Sequence, residues 1–165
     1  MKPKVYLETT VISYLTGSPS RDLIVAAHQQ ITREWWQGRK RFDLYVSQVV
    51  VQEAGGGDPQ AASSRLKTLE RVSILKLTPE SRDLAKKLLT QGPIPQNAAL
   101  DALHIAIAVV NGMDFLVTWN CTHIANAAMR IMIEAVCRSL GYEPPVICTP
   151  EELMEESSNV ARSNR

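Results

Sequence analysis

The sequence predicts an α/β fold, a single domain with a central parallel β-sheet flanked by α-helices. Short runs of β-branched and aromatic residues alternate with helical patterns along the whole chain. The segment from about Gln96 to Val110 is apolar nearly all round, which marks a helix buried on most sides. The chain has 165 residues, 45% of them hydrophobic, enough for one real core and little more.

Taken in order, residues 5–15 are rich in β-branched and aromatic residues and end at Gly17-Ser18-Pro19, so they read as a strand passing into a turn. Asp22 opens a helix in which Leu23, Ile31 and Trp35 recur at helical spacing, closed by Gly38 and the basic run Arg39-Lys40-Arg41. Residues 42–51 read as a second strand region, followed by Gln52-Glu53-Ala54 and Gly55-Gly56-Gly57. A helical stretch covers residues 58–71, and residues 72–77 alternate as a short strand. Thr78 caps a helix with Pro79 at its first position. The apolar helix follows Gly92-Pro93-Ile94-Pro95 and stops at Asn111-Gly112. Residues 115–119 form the next strand, residues 122–140 the last long helix, and residues 146–148 a final short strand. Residues 1–150 therefore form the domain, and residues 151–165 a short acidic helix and frayed tail.

Composition excludes several classes. With 18 Lys+Arg against 17 Asp+Glu, the net charge of +1 rules out nucleic-acid binding by bulk electrostatics. The N-terminus lacks the pattern of a secretory signal, and the apolar stretch from 98 to 110 is broken by Asp101 and His104 and falls short of the roughly 20 residues a bilayer requires. A cytoplasmic protein is expected, not a membrane protein. Cys121, Cys137 and Cys148 are odd in number and lack metal-ligand spacing, so they read as reduced core or near-core thiols. There is no GxxxxGK[ST], GxGxxG, GxSxG, HExxH or paired-Cys motif.

The residues that could carry chemistry are carboxylates in apolar surroundings. Glu8 lies among Val5, Leu7, Val11 and Ile12, where an unpaired charge would cost several kcal/mol; a salt bridge or an edge position would also account for it. Glu53 follows Val49-Val50-Val51 at the carboxyl end of the second strand region, or marks a solvated helix start. Asp101 interrupts an apolar helix and demands a counter-charge or a metal, unless His104, three residues on, forms a satisfied pair with it. Asn120 ends a strand and is a neutral oxygen ligand or an ordinary helix cap. Clustered hard oxygens are how proteins bind Mg²⁺ or Mn²⁺, and such sites most often act on phosphate esters. Asn97, Thr10 and Asp58 are secondary candidates. Asn97 is a pocket residue or helix-start cap, Thr10 a hydroxyl for a ligand carboxylate, Asp58 a turn or cap residue.

The segments Val5-Tyr6-Leu7-Glu8-Thr9-Thr10-Val11-Ile12-Ser13-Tyr14-Leu15, Glu53, Asp101-Ala102-Leu103-His104-Ile105-Ala106 and Val117-Thr118-Trp119-Asn120-Cys121-Thr122-His123-Ile124 resemble, in order, the motifs of the PIN domain, and most closely the VapC-like toxins of bacterial type II toxin–antitoxin systems. The resemblance covers about residues 3–150. It implies a Mg²⁺- or Mn²⁺-dependent endoribonuclease in which metal-activated water attacks the phosphodiester, with Glu8, Glu53 and Asp101 as acidic ligands and Asn120 in the fourth position. It implies as partners an RNA substrate, a cognate antitoxin and a second copy in a homodimer. Glu8 stands where the family usually has Asp, and Asn120 where it usually has an acid. Three negatives in place of four imply one well-occupied metal. Two further readings stand beside it, a PIN-like module that binds RNA or protein without turnover and a phosphatase acting on small molecules. Arg21, Arg33, Arg39, Lys40 and Arg41 offer a phosphate-tracking surface or solvated helix-end charges. Trp35 and Trp36 point about 100° apart, so only one is expected in the core.

Overall fold

The computed structural model describes residues 1–154. Its elements are β1 (Lys4–Leu7), α1 (Thr9–Thr16), α2 (Leu23–Gln37), β2 (Asp43–Ser47), α3 (Gln48–Ala54), α4 (Pro59–Leu69), β3 (Ser73–Leu75), α5 (Pro79–Thr90), α6 (Ala99–Val110), β4 (Phe115–Val117), α7 (Ala127–Ser139) and β5 (Val146–Cys148), with 3₁₀ turns at Arg39–Arg41 and Gln96–Ala98. The five strands form one sheet in the order β3-β2-β1-β4-β5, every pair parallel. Tyr6 sits opposite Tyr45 on one side and Leu116 on the other.

From β1 the chain winds outward through β2 to β3, then returns to the other side of β1 for β4 and β5. The switch point lies between β1 and β4, and ligand crevices of open α/β sheets open beyond the strand carboxyl ends at such a point. Glu8 stands there, its N–H donating to the carbonyl of Val117 at 3.0 Å.

The sheet is buried because its strands are nearly uniform apolar runs. Val5, Tyr6, Leu7, Val46, Leu116 and Val117 have no exposed surface, and α6 presses Ile105, Ala106, Ile107 and Ala108 into the same core. The caps read from the sequence are in place. Asp22 accepts from the N–H groups of Ile24 and Val25, and Thr78 forms a capping box with Ser81 ahead of α5.

Three boundaries differ from the sequence reading. The strand expected over residues 5–15 ends at Leu7, and the rest is α1, which buries Val11 and Ile12. Residues 42–51 divide in the same way. β2 stops at Ser47, whose hydroxyl caps α3 by accepting from Val50 N–H, and so Glu53 lies on a helix, not at a strand end. In both cases burial of a helix face overrides the strand preference of β-branched residues. The helix expected from residue 122 begins at Ala127, because Asn126 caps it by accepting from Ala128 and Met129. The strand read over 72–77 is β3, at the sheet edge.

All three cysteines are free. Burial pushes the Cys137 thiol up to about 11 and the Cys148 thiol up to about 12, as core thiols, whereas Cys121, read as core or near-core, is exposed. Among the described residues no helix is long and apolar enough to cross a membrane. Residues 151–154 form a turn. The frayed tail lies, from residue 155 onward, outside the described residues.

Ile105 on α6 is wholly buried in the core. Ile105→Ala should lower the unfolding free energy by about 3 kcal/mol in urea denaturation.

Candidate functional site

The site is assembled on the first turn of α1, on α3, on α6 and on the loop after β4. Glu8 is 3% exposed and acts as the N-cap of α1. One carboxylate oxygen accepts from Thr10 N–H at 2.8 Å, and the other from the Thr118 hydroxyl at 3.2 Å. Burial raises its pKa above the usual carboxylate range, only partly opposed by the nearby His104 imidazole and by the Thr10 and Thr118 hydrogen bonds.

Glu53 projects from α3. Its Oε1 accepts from the Thr9 hydroxyl at 2.8 Å and from His104 Nε2 at 2.6 Å. Partial burial works to raise its pKa, but the His104 and Thr9 contacts outweigh it and hold the carboxyl below its ordinary value. His104 is 1% exposed, and its Nδ1 meets the Tyr6 hydroxyl at 2.7 Å, which in turn meets Ser47 Oγ at 2.8 Å. Burial, reinforced by the charges of Glu8 and Glu53, drives the Tyr6 phenol far up, so it stays protonated and bridges Ser47 to His104.

Asp101 stands in the first turn of α6, its Oδ2 accepting from His123 Nδ1 at 2.8 Å. The Asp101–His104 pair weighed from the sequence does not form; His104 turns to Glu53, and Asp101 finds its histidine on the loop after β4. Glu53, Asp101, His123 and Asn97 line one cleft with residues 98–100. Glu53 Oε2 and Asp101 Oδ1 accept no hydrogen bond from the described residues, so each carboxylate keeps one oxygen available there.

Asn120 does not line that cleft. Its Oδ1 accepts from His123 N–H at 3.0 Å, and its own N–H donates to the Thr118 hydroxyl. It shapes the turn that presents His123 to Asp101. Thr10 gives its backbone N–H to Glu8, and its hydroxyl, which accepts from Trp119 N–H, also helps to hold the Glu8 carboxylate, as expected; Thr9 makes the corresponding hydroxyl contact with Glu53. Asp58 caps α4, and Asn97 faces the cleft without capping a helix by its side chain.

His123, Tyr6 and Ser47 escape sequence reading as site residues. The first is signalled only by its three-residue spacing from Asn120, and Tyr6 is indistinguishable from a core residue of β1. Of the basic segment, Arg33 and Arg41 donate to the carbonyls of Gly17 and Leu153, which favours the structural reading for those two, while Arg39 donates to the Trp36 carbonyl and lays its guanidinium over the Trp36 ring. Trp35 is buried and Trp36 half-buried, the division expected of neighbours on a helix.

Among the described residues no three His, Cys, Asp or Glu side chains are grouped so as to hold a metal ion. What the cleft offers is two carboxylates with a free oxygen each. That matches Mg²⁺, which keeps several waters and takes one or two carboxylates plus substrate phosphates, better than it matches a cage built wholly of protein ligands.

A parallel sheet with acidic side chains gathered at its switch point defines the class: an α/β domain of PIN-like fold. Solved structures to which the chain is similar include VapC toxins. The chain matches VapBC2 from Rickettsia felis, determined with a DNA fragment from its promoter, at 16% identity and a TM-score of 0.56, over 88% of this chain and 98% of that one. It matches the sarcin-ricin loop cleaving toxin VapC20 of Mycobacterium tuberculosis at 13% identity and a TM-score of 0.57, over 72% of this chain and 91% of that one. No protein-family model matches the sequence, and no curated protein matches it.

Glu8→Gln keeps the capping oxygen and removes the buried charge. A carboxyl whose folded pKa is raised disfavours folding increasingly as pH rises through that value. The substitution should therefore stabilise the fold relative to wild type more at neutral pH than at acid pH. The gain should shrink as the pH is lowered and Glu8 itself takes up a proton, which urea denaturation at several pH values would measure.

Proposed function

We propose that this protein is a Mg²⁺- or Mn²⁺-dependent endoribonuclease, the toxin of a toxin–antitoxin pair. The observation that carries the proposal is the cleft in which Glu53 and Asp101 each turn one oxygen to a histidine and keep the other free. The shared fold with VapC toxins supports the substrate class, since one of those neighbours is described by its cleavage of the sarcin-ricin loop.

Glu53 and Asp101 would hold the cation, with Glu8 buried beside them as a third negative charge and Asn120 acting through its turn. A divalent cation bound there supplies charge neutralisation for the phosphodiester and lowers the pKa of a bound water. The chain's own residues do the rest. His104, braced by Tyr6, fixes the direction of Glu53, and His123 fixes Asp101.

An antitoxin and a second copy of the chain are proposed as protein partners. Exposed Leu23 and Ile24 on α2, and Ile131 and Met132 on α7, supply apolar surface for them. RNA in the cytoplasm is the proposed substrate. A second reading, a module that binds RNA or protein without turnover, is favoured by the engagement of Asn120 Oδ1 with its own turn.

Purified protein should cleave RNA with Mg²⁺ or Mn²⁺ and leave a small phosphate ester intact. Chelator should abolish cleavage, and Asp101→Asn should reduce it by about 100-fold or more. Cleavage that survives both would overturn the metal-dependent reading, whereas clean metal-loaded protein that cleaves no RNA would favour the binding module.

A further inference from the structure

The amino end of the sheet carries a groove whose charge is opposite to that of the cleft. The 3₁₀ turn after α2, the carboxyl end of α4 and the first residues of β2 and β3 form its walls. Arg39, Lys40, Lys67 and Arg71 line it against Asp43 and Glu70, leaving an excess of two positive charges. Lys40, Lys67 and Arg71 are exposed, and their side chains make no hydrogen bond or ion pair with any described residue. The Arg39 guanidinium lies 4.6 Å from the centroid of the half-buried Trp36 ring, forming a flat cationic plate at the groove wall.

Charges at helix ends complement helix dipoles, and Lys67 does so for α4. That does not account for Lys40 and Arg71, which lie outside the α-helices yet converge with it on one concave surface. Unpaired cations beside a flat guanidinium plate suit a nucleic-acid strand, whose phosphates take the cations and whose bases stack on the plate. An acidic peptide would use the cations alone.

We infer that this groove is a second RNA-binding surface, which holds the phosphate backbone of a folded RNA while the strand to be cut lies in the acidic cleft. The inference rests on the ribonuclease reading for its choice of RNA. From Asp43 at the groove to Ser47 at the other end, β2 advances about 13 Å. A hairpin thick enough to pass round the β3 edge touches both ends of the sheet; a short single strand in the cleft touches one.

The test compares the full chain with Lys40→Gln/Lys67→Gln/Arg71→Gln, and with Arg71→Gln alone, using a fluorescent RNA hairpin and a short single-stranded RNA. Thermal melts establish that each variant is folded; should the triple variant not fold, Arg71→Gln alone decides. Anisotropy across a salt series should show hairpin affinity about tenfold weaker in the triple variant, with the slope of log Kd against log salt smaller by about 2.7. For Arg71→Gln alone the slope should be smaller by about 0.9. Cleavage of the short strand should be unchanged. Unchanged hairpin affinity and slope in a folded variant would overturn the inference and leave the nuclease reading standing. Groove-dependent hairpin binding by a protein that cleaves nothing would uphold the groove and defeat the nuclease reading. Groove-dependent binding of a polyglutamate peptide with none of RNA would overturn the inference in favour of a protein partner.

Discussion

Ser47, Tyr6, His104 and Glu53 form a continuous hydrogen-bonded chain through the interior, from the end of β2 across β1 to α6 and on to α3. Its inner members are almost wholly buried, so each polar atom must find a partner within the chain or cost the fold several kcal/mol. The network solves two problems together. It satisfies the phenol and imidazole inside the core, and it aims one oxygen of Glu53 inward so that the other is left for the cleft. The sheet order places β1 at the centre, so Tyr6 can reach both β2 and α6. The site's geometry thus depends on the same central strand that organises the core.

Charge is divided along the strand direction. The carboxyl ends gather Glu8, Glu53 and Asp101; the amino ends of β2 and β3 carry Arg39, Lys40, Lys67 and Arg71. A net charge of +1 hides this division, because the two sets nearly cancel in the total. Small net charge therefore excludes only a protein that holds nucleic acid by bulk attraction. Local fields of opposite sign, one for a cation and one for phosphates, remain compatible with it.

Most of the fold was legible in the sequence, because it follows from patterns a single chain displays: alternating strand and helix signals, caps at Asp22, Asp58 and Thr78, and the near-uniform apolarity of α6. The strand-to-helix junctions at Glu8 and Ser47 were not, since Val11, Ile12, Val49 and Val50 have strand preferences that only burial of a helix face overrides. Glu8, Glu53 and Asp101 stood out as carboxylates in apolar surroundings. Their partners did not. The pairing of His104 with Glu53 and of His123 with Asp101 joins residues 51 and 22 positions apart, and no local spacing encodes it. Asn120 shows the converse, a residue expected as a ligand or helix cap whose hydrogen bonds instead shape the turn after β4, the helix cap being Asn126.

The central claim is that Glu53 and Asp101 form one site for a hydrated divalent cation. Titration of Mn²⁺ into the purified protein, followed by calorimetry or by the spin-resonance signal of the free ion, tests it most directly. The account predicts saturation near one equivalent, with binding weakened about 10- to 100-fold by Glu53→Gln or by Asp101→Asn. Two tight equivalents, or one that neither substitution disturbs, would contradict it.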